Sequence, residues 1–146
     1  MAGFSSSLAN STLMLFLQAQ AIANLADNAA SSPITSVYLS LHTATPAAGN
    51  QSTSEAAYPS YARQALVRST STPGFTISAN VATLAASTSF PASTGSPSET
   101  ETYAGVGKSV TGANQLYFYG ALSPTIAVTA AGVTPQILNT STITLT

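Results

Sequence analysis

From about residue 34 onward the chain is a succession of short runs rich in Val, Ile, Thr, Tyr and Phe, broken by clusters of Gly, Pro, Asn and Ser. β-Branched and aromatic side chains fit a pleated, half-buried surface, and the breakers supply turns, so this pattern specifies many short strands. Strands are predicted near Ser36 to His42, Tyr61 to Arg68, Gly74 to Ser78, Val81 to Leu84, Thr88 to Phe90, Thr102 to Gly107, Gln115 to Ala121, Thr125 to Thr129 and Ser141 to Leu145. Val37, Leu39 and Leu41 alternate with Tyr38, Ser40 and His42, which predicts one face inward and one outward. The expected fold class is all-β: a single antiparallel β-sandwich, jelly-roll-like or Ig-like, preceded by one N-terminal helix. Two long connections, Ala44 to Tyr58 and Pro91 to Glu101, are expected to be loops. No fixed-period repeat is present, which argues against solenoids and propellers.

Before residue 34 only one segment has a helical period. Leu13, Phe16, Leu17, Ala21 and Leu25 recur at steps of three and four between Leu8 and Asp27, with Ser7, Asn10 or Ser11 available as N-caps. The expected division is therefore an arm and helix over residues 1–33 and a sandwich domain over residues 34–146. Met14, Leu15 and Ile22 lie on the other side, leaving the helix more apolar all round than a one-sided surface helix needs. It reads either as a core helix under the sheet or as an arm covered by a neighbour, with Phe4, Leu13, Leu15, Phe16 and Leu17 as the candidate partner interface. No Lys or Arg precedes Leu13 to Leu17, and Gln18, Gln20 and Asn24 interrupt the run, so neither a signal peptide nor a membrane span fits the template.

The composition narrows function by what is scarce. The 146 residues include three basic side chains, four acidic ones, one His and no Cys. Acid, base and nucleophilic catalysis gathers groups that change charge, and nucleic-acid binding needs many cations against phosphate. Neither resource is present, so the chain is expected not to be an enzyme and not to bind DNA or RNA, and no cofactor is implied. Thiolate zinc sites and disulfide scaffolds are excluded outright. Mixed surface charge normally keeps a free domain apart from its neighbours, and its scarcity marks a part of an assembly.

The residual candidates for chemistry are few. Ser40, His42 and Glu55 are a conceivable nucleophile, base and orienter, but no nucleophile elbow surrounds any Ser, and a His at a strand end is more often a loop-ordering partner. Asp27, Glu55, Glu99 and Glu101 form no ligand cluster at metal-loop spacing; Glu99 and Glu101 alone are close enough to share a cation, against the simpler reading of a solvated loop. Gly105, Gly107 and Gly112 open no helix and read as strand and turn positions rather than a phosphate cradle. Asn10, Asn50 and Asn139 head glycosylation-type triplets that such a composition produces by chance. The ionic constellation that remains is Glu55 with Tyr58, Tyr61, Arg63 and Arg68. Glu55 and Arg63 are expected to form a structural pair that pins the long loop to the strands.

Several ordered motifs carry a family resemblance. They are Val37-Tyr38-Leu39-Ser40-Leu41-His42-Thr43-Ala44-Thr45-Pro46, Glu55-Ala56-Ala57-Tyr58-Pro59-Ser60-Tyr61-Ala62-Arg63, Phe90 to Gly95, Tyr103 to Gly107, Leu116 to Leu122 and the Val133-Thr134-Pro135 turn. Taken in order they resemble small structural proteins of tailed phages, with Thr45 where an Asp is usual before the Pro. The resemblance implies a virion component. Its leading form is a capsid decoration (cement) protein on the capsid exterior, bound to the major capsid protein and to copies of itself, as a trimer before a dimer. A tail or head-fibre component is the alternative. A carbohydrate-binding β-sandwich, for which Tyr117 and Tyr119 alternate suitably, is the rival from another class.

Overall fold

The computed structural model describes residues 5–22, 34–46 and 50–145. Within them lie one helix, α1 (Ser6–Gln18), and nine strands: β1 (Ser36–His42), β2 (Gln64–Val67), β3 (Phe75–Ser78), β4 (Val81–Leu84), β5 (Thr88–Ser89), β6 (Glu99–Gly107), β7 (Leu116–Val128), β8 (Gln136–Ile137) and β9 (Thr142–Thr144). Every pairing whose register is resolved is antiparallel. The expected class, all-β with a leading helix, is what the chain adopts. Its contacts gather into two compact, discontinuous units.

The first unit takes Met1–Ser36, Leu66–Ser87 and Leu138–Thr146. Its sheet runs β3-β4-β9, with Phe75 opposite Leu84 and Ala82 opposite Ile143, and α1 packs on β3 and β4. The helix starts earlier than expected, because Ser5 is extended and its hydroxyl accepts from the Leu8 amide at 3.3 Å. It also stops at Gln18 rather than near Asp27. Ala19 adopts a left-handed conformation, and the Gln20 amide closes back onto the Met14 carbonyl. Asp27 and Phe4 lie outside the described residues. Ala9, Leu13 and Leu17 are fully buried, one turn apart on a single face, with Leu66, Phe75, Ala82 and Leu84. Leu15 and Phe16 are half-buried.

Two polar side chains fix the helix end. Gln18 donates from its buried amide to the Phe75 carbonyl at 2.9 Å. The Arg68 guanidinium reaches the carbonyls of Leu15, Phe16 and Ile34. Carbonyls in the last turn of a helix lack intrahelical partners and sit at the negative end of its dipole, so a cation there satisfies both needs.

The second unit takes Val37–Ala65 and Thr88–Ile137. Its main strands belong to the sheet ordered β2-β1-β6-β7, and β5 pairs with β8. β7 is one long strand where two short ones were predicted. Five steps along β7, from Ala121 to Ile126, span two steps of β6, from Tyr103 to Glu101, so the register shifts instead of the strand ending. β1 departs from the expected one-sided burial. Leu39 and Leu41 are buried on one face, but Ser40 and His42 on the other are buried as well. That second face is covered by the turn at 50–55, which bridges to β1 through His42 and Glu55 and to Gln115 through Asn50.

Candidate functional site

The covered face of β1 and β6 buries Ser40, His42 and Gln51, and glycine makes room for them. Gly105 lies across from Ser40 and Gly107 across from Tyr38. A Cβ on Gly105 would stand 2.9 Å from His42 Nε2 and 3.0 Å from Ser40 Oγ; one on Gly107 would collide with the Gln51 side chain. Into that second space Gln51 inserts with no exposure at all. Its Oε1 accepts from the Ser109 amide at 2.8 Å, its Nε2 donates to the Ser109 carbonyl at 3.1 Å, and its own backbone amide binds the Asn114 carbonyl. One side chain thus pairs with the loop after β6 as another strand would.

Beside Gln51 lies the ion pair. Arg63 Nε meets Glu55 Oε1 at 2.5 Å and Nη2 meets Oε2 at 2.7 Å, a two-point fork on the carboxylate. The remaining guanidinium donors reach the Ser109 carbonyl at 2.9 Å and the Gly112 carbonyl at 3.0 Å. With Arg63 only 6% exposed, its donors are directed at chain atoms rather than at solvent. Tyr61 donates its hydroxyl to Glu55 Oε1 at 3.0 Å and accepts from the Leu41 amide at 3.1 Å. Burial first, and then the Glu55 charge, raise the Tyr61 phenol far above its ordinary value. Its ring stacks on Phe90 at 6.1 Å and meets Tyr58 edge-on at 5.4 Å.

His42 stands next in the chain of bonds. Its Nδ1 faces the Thr53 carbonyl at 2.9 Å, and a carbonyl can only accept, so Nδ1 carries the proton. Nε2 is then left to accept from the Ser40 hydroxyl at 2.9 Å. Burial holds the imidazole pKa below its usual value, which keeps this neutral form. Ser40 and His42 do meet as a nucleophile and base would, but the third role is filled by a backbone carbonyl. The Glu55 carboxylate is held by Arg63 and Tyr61 instead. Neither Ser40 nor His42 has any exposed surface, so no substrate reaches the hydroxyl. The arrangement orders the 50–55 turn.

Glu99 and Glu101 overturn the solvated-loop reading. β6 begins at Glu99, and the two lie on one face of it at a spacing of two. Glu99 accepts from the amides of Ala57 at 3.0 Å and Tyr58 at 3.1 Å. Glu101 is fully buried and neither of its oxygens finds a hydrogen-bond partner. Burial, followed by the neighbouring Glu99, pushes its pKa up to about 8. Among the described residues no three acidic or imidazole groups converge to hold a metal ion, and no helix is long and apolar enough to cross a membrane.

The candidate residues therefore separate. Glu55, Tyr61 and Arg63 come together. Arg68 belongs to the helix end. Leu13 and Leu17 lie inside the first unit, which leaves Leu15 and Phe16 as the described members of the candidate partner interface. Sequence reasoning missed Gln51 and the Glu99 clasp; the glycines at alternate positions of β6 were the available signal that something packs closely there.

No curated protein matches the chain. A family model does, over residues 5–146, and its family is described as podophage GP4 fiber I protein gp80. That match runs from the N-cap of α1 through β9 and includes both units and every polar cluster described above. The chain belongs to this family of phage fiber proteins, and is a structural component of a virion.

Proposed function

We propose that the chain is a fibre subunit of a phage virion, assembled by packing neutral surfaces of its own copies together and against the structural proteins that anchor it. The family match over nearly the whole chain carries this reading, and it shifts the weight from capsid decoration, the sequence-based lead, to the fibre alternative. The disposition of charge supports it. Glu55 and Arg63 face each other, Glu99 and Arg68 bind backbone groups, and Glu101 is buried, so among the described residues Lys108 is the charged side chain left exposed. A surface of that kind favours close contact and offers little electrostatic resistance to association. Trimers are the favoured state, dimers the alternative, because closed symmetry covers edge strands without needing charge.

A sugar-binding platform is less well supported. Stacking on a saccharide uses large exposed aromatic faces, and among the described residues Tyr119 is the one aromatic in the strongly exposed large apolar set. Immunogold labelling of intact virions tests the proposal directly. Label confined to projecting fibres is the expected result. Even label over the whole capsid shell would overturn the fibre reading in favour of decoration.

A further inference from the structure

Glu101 is the polar side chain that the described clusters leave unexplained. Its carboxyl has no exposure and no hydrogen-bond partner, a state in which an ionised group loses its hydration with nothing in return. Two residues earlier on the same face, Glu99 is already committed. Its oxygens accept from the amides of Ala57 and Tyr58, which holds that segment against β6. Two amide donors already hold the Glu99 oxygens, so a charge on Glu101 would lie beside a second carboxyl group with its own hydration lost. The titratable groups facing Glu101 are Glu99 from its own strand and Tyr58 from the opposed segment. The Tyr58 phenol donates to the Pro91 carbonyl at 3.1 Å, and burial with the two nearby carboxyls pushes its pKa up to about 12, so it stays neutral. No basic side chain is among the groups acting on Glu101.

A metal ion fits poorly here. Calcium takes six to eight oxygens, whereas this site offers two carboxyl groups, one of them turned toward amide N–H donors that would repel a cation. A proton needs only the two carboxyls.

We propose that Glu99 and Glu101 hold one proton between them, and that this proton latches the Ala57–Tyr58 segment to β6. With it in place, Glu101 is neutral and Glu99 keeps its charge for the two amides. Without it, a buried carboxylate on Glu101 repels the half-buried one on Glu99, and the segment is released more easily. The latch is therefore tight in mild acid and progressively looser toward alkaline pH.

Two measurements on the full chain test this. The side-chain carboxyl carbons, followed by NMR from pH 4 to 10, should show Glu101 titrating well above ordinary carboxylates. Hydrogen exchange at the Ala57 and Tyr58 amides, corrected for intrinsic rates, should lose protection by about tenfold per pH unit between about pH 5 and 8. In Glu101→Gln the protection should not vary with pH. An ordinary carboxylate titration of Glu101 overturns the proposal, as does the same loss of protection in Glu101→Gln. If added calcium chloride restores protection at pH 8 and chelation removes it, a cation holds the pair and the proton reading fails. Should Glu101→Gln not fold, the carboxyl titration of the unaltered chain decides alone.

Discussion

Arg63 and Glu55 meet edge to edge, two guanidinium nitrogens on two carboxylate oxygens at 2.5 and 2.7 Å. Exposed pairs of this kind contribute about 0–1 kcal/mol, but removing one partner of a buried pair typically costs about 3–5 kcal/mol, because the other is left uncompensated. Arg63→Ala is therefore expected to lower the unfolding free energy by an amount nearer the second range. Adding Glu55→Ala should cost little more. Chemical denaturation of both single variants and the double variant checks this, and additive losses would show that the two side chains act independently.

The glycine opposite Tyr38 leads to a second double variant. Gly107→Ala puts a methyl group into the space of Gln51 and should cost about 1–3 kcal/mol, as overpacking of a closed interior does. In a Gln51→Ala background that space is empty and the same methyl should cost far less. Thermal melts of the four combinations give the coupling, and an unchanged penalty in the second background would place the strain elsewhere.

These two clusters show how far the residues could be read without coordinates. β1 was legible to its exact ends, because alternation and a following Pro loop are local signals. The loop-borne Glu55 beside an Arg on the next strand was legible for the same reason, since a lone Arg in a neutral chain needs a carboxylate. Burial of the second face of β1 was not legible. It depends on Gly105 and Gly107 being placed across the strand by register, some 65 residues away from Ser40, and on Gln51 arriving from a turn. The helix start was missed because Ser5, Ser6 and Ser7 offer equivalent hydroxyls. Its end was missed because Ala19, and no glycine, takes the left-handed cap. Glu99-Thr100-Glu101 reads as a polar loop in one dimension, and only the strand's pleat turns both Glu side chains to one face.

Helix α1 has a buried face and a half-buried one. Leu13→Ala removes a fully buried side chain and should cost about 2–5 kcal/mol. Leu15→Ser, on the half-buried side, should leave the melting temperature nearly unchanged. If α1 also faces a neighbour, Leu15→Ser should weaken oligomers, as sedimentation velocity would show. A large stability loss in Leu15→Ser would make that face part of the chain's own interior.

Stability should respond to pH from two sides. The folded state lowers the His42 pKa, so the stability tied to its neutral form is present above about pH 6.5 and is lost as pH falls below it. The folded state raises Glu101 from 4.5 to about 8, so its contribution is complete below pH 4.5 and declines as pH rises toward 8, by a few kcal/mol as an order of magnitude. Melting curves between pH 4 and 9 should show Glu101→Gln flattening the decline at higher pH and His42→Gln flattening the decline below 6.5. Parallel curves for all three proteins would mean that neither group titrates differently on folding.

The engagement of most described charged side chains by partners within the chain also sets how such a subunit meets the outside world. Dissolved ions act on exposed charges within roughly 8–10 Å at ordinary ionic strength, and buried pairs are screened much less. A contact made by neutral hydroxyl and aliphatic groups gives a fall in ionic strength little to act on. Particles built through such contacts keep their joints across changes of salinity that would dissociate a charge-matched assembly, so dilution into low-salt medium is no threat to a structure joined in this way.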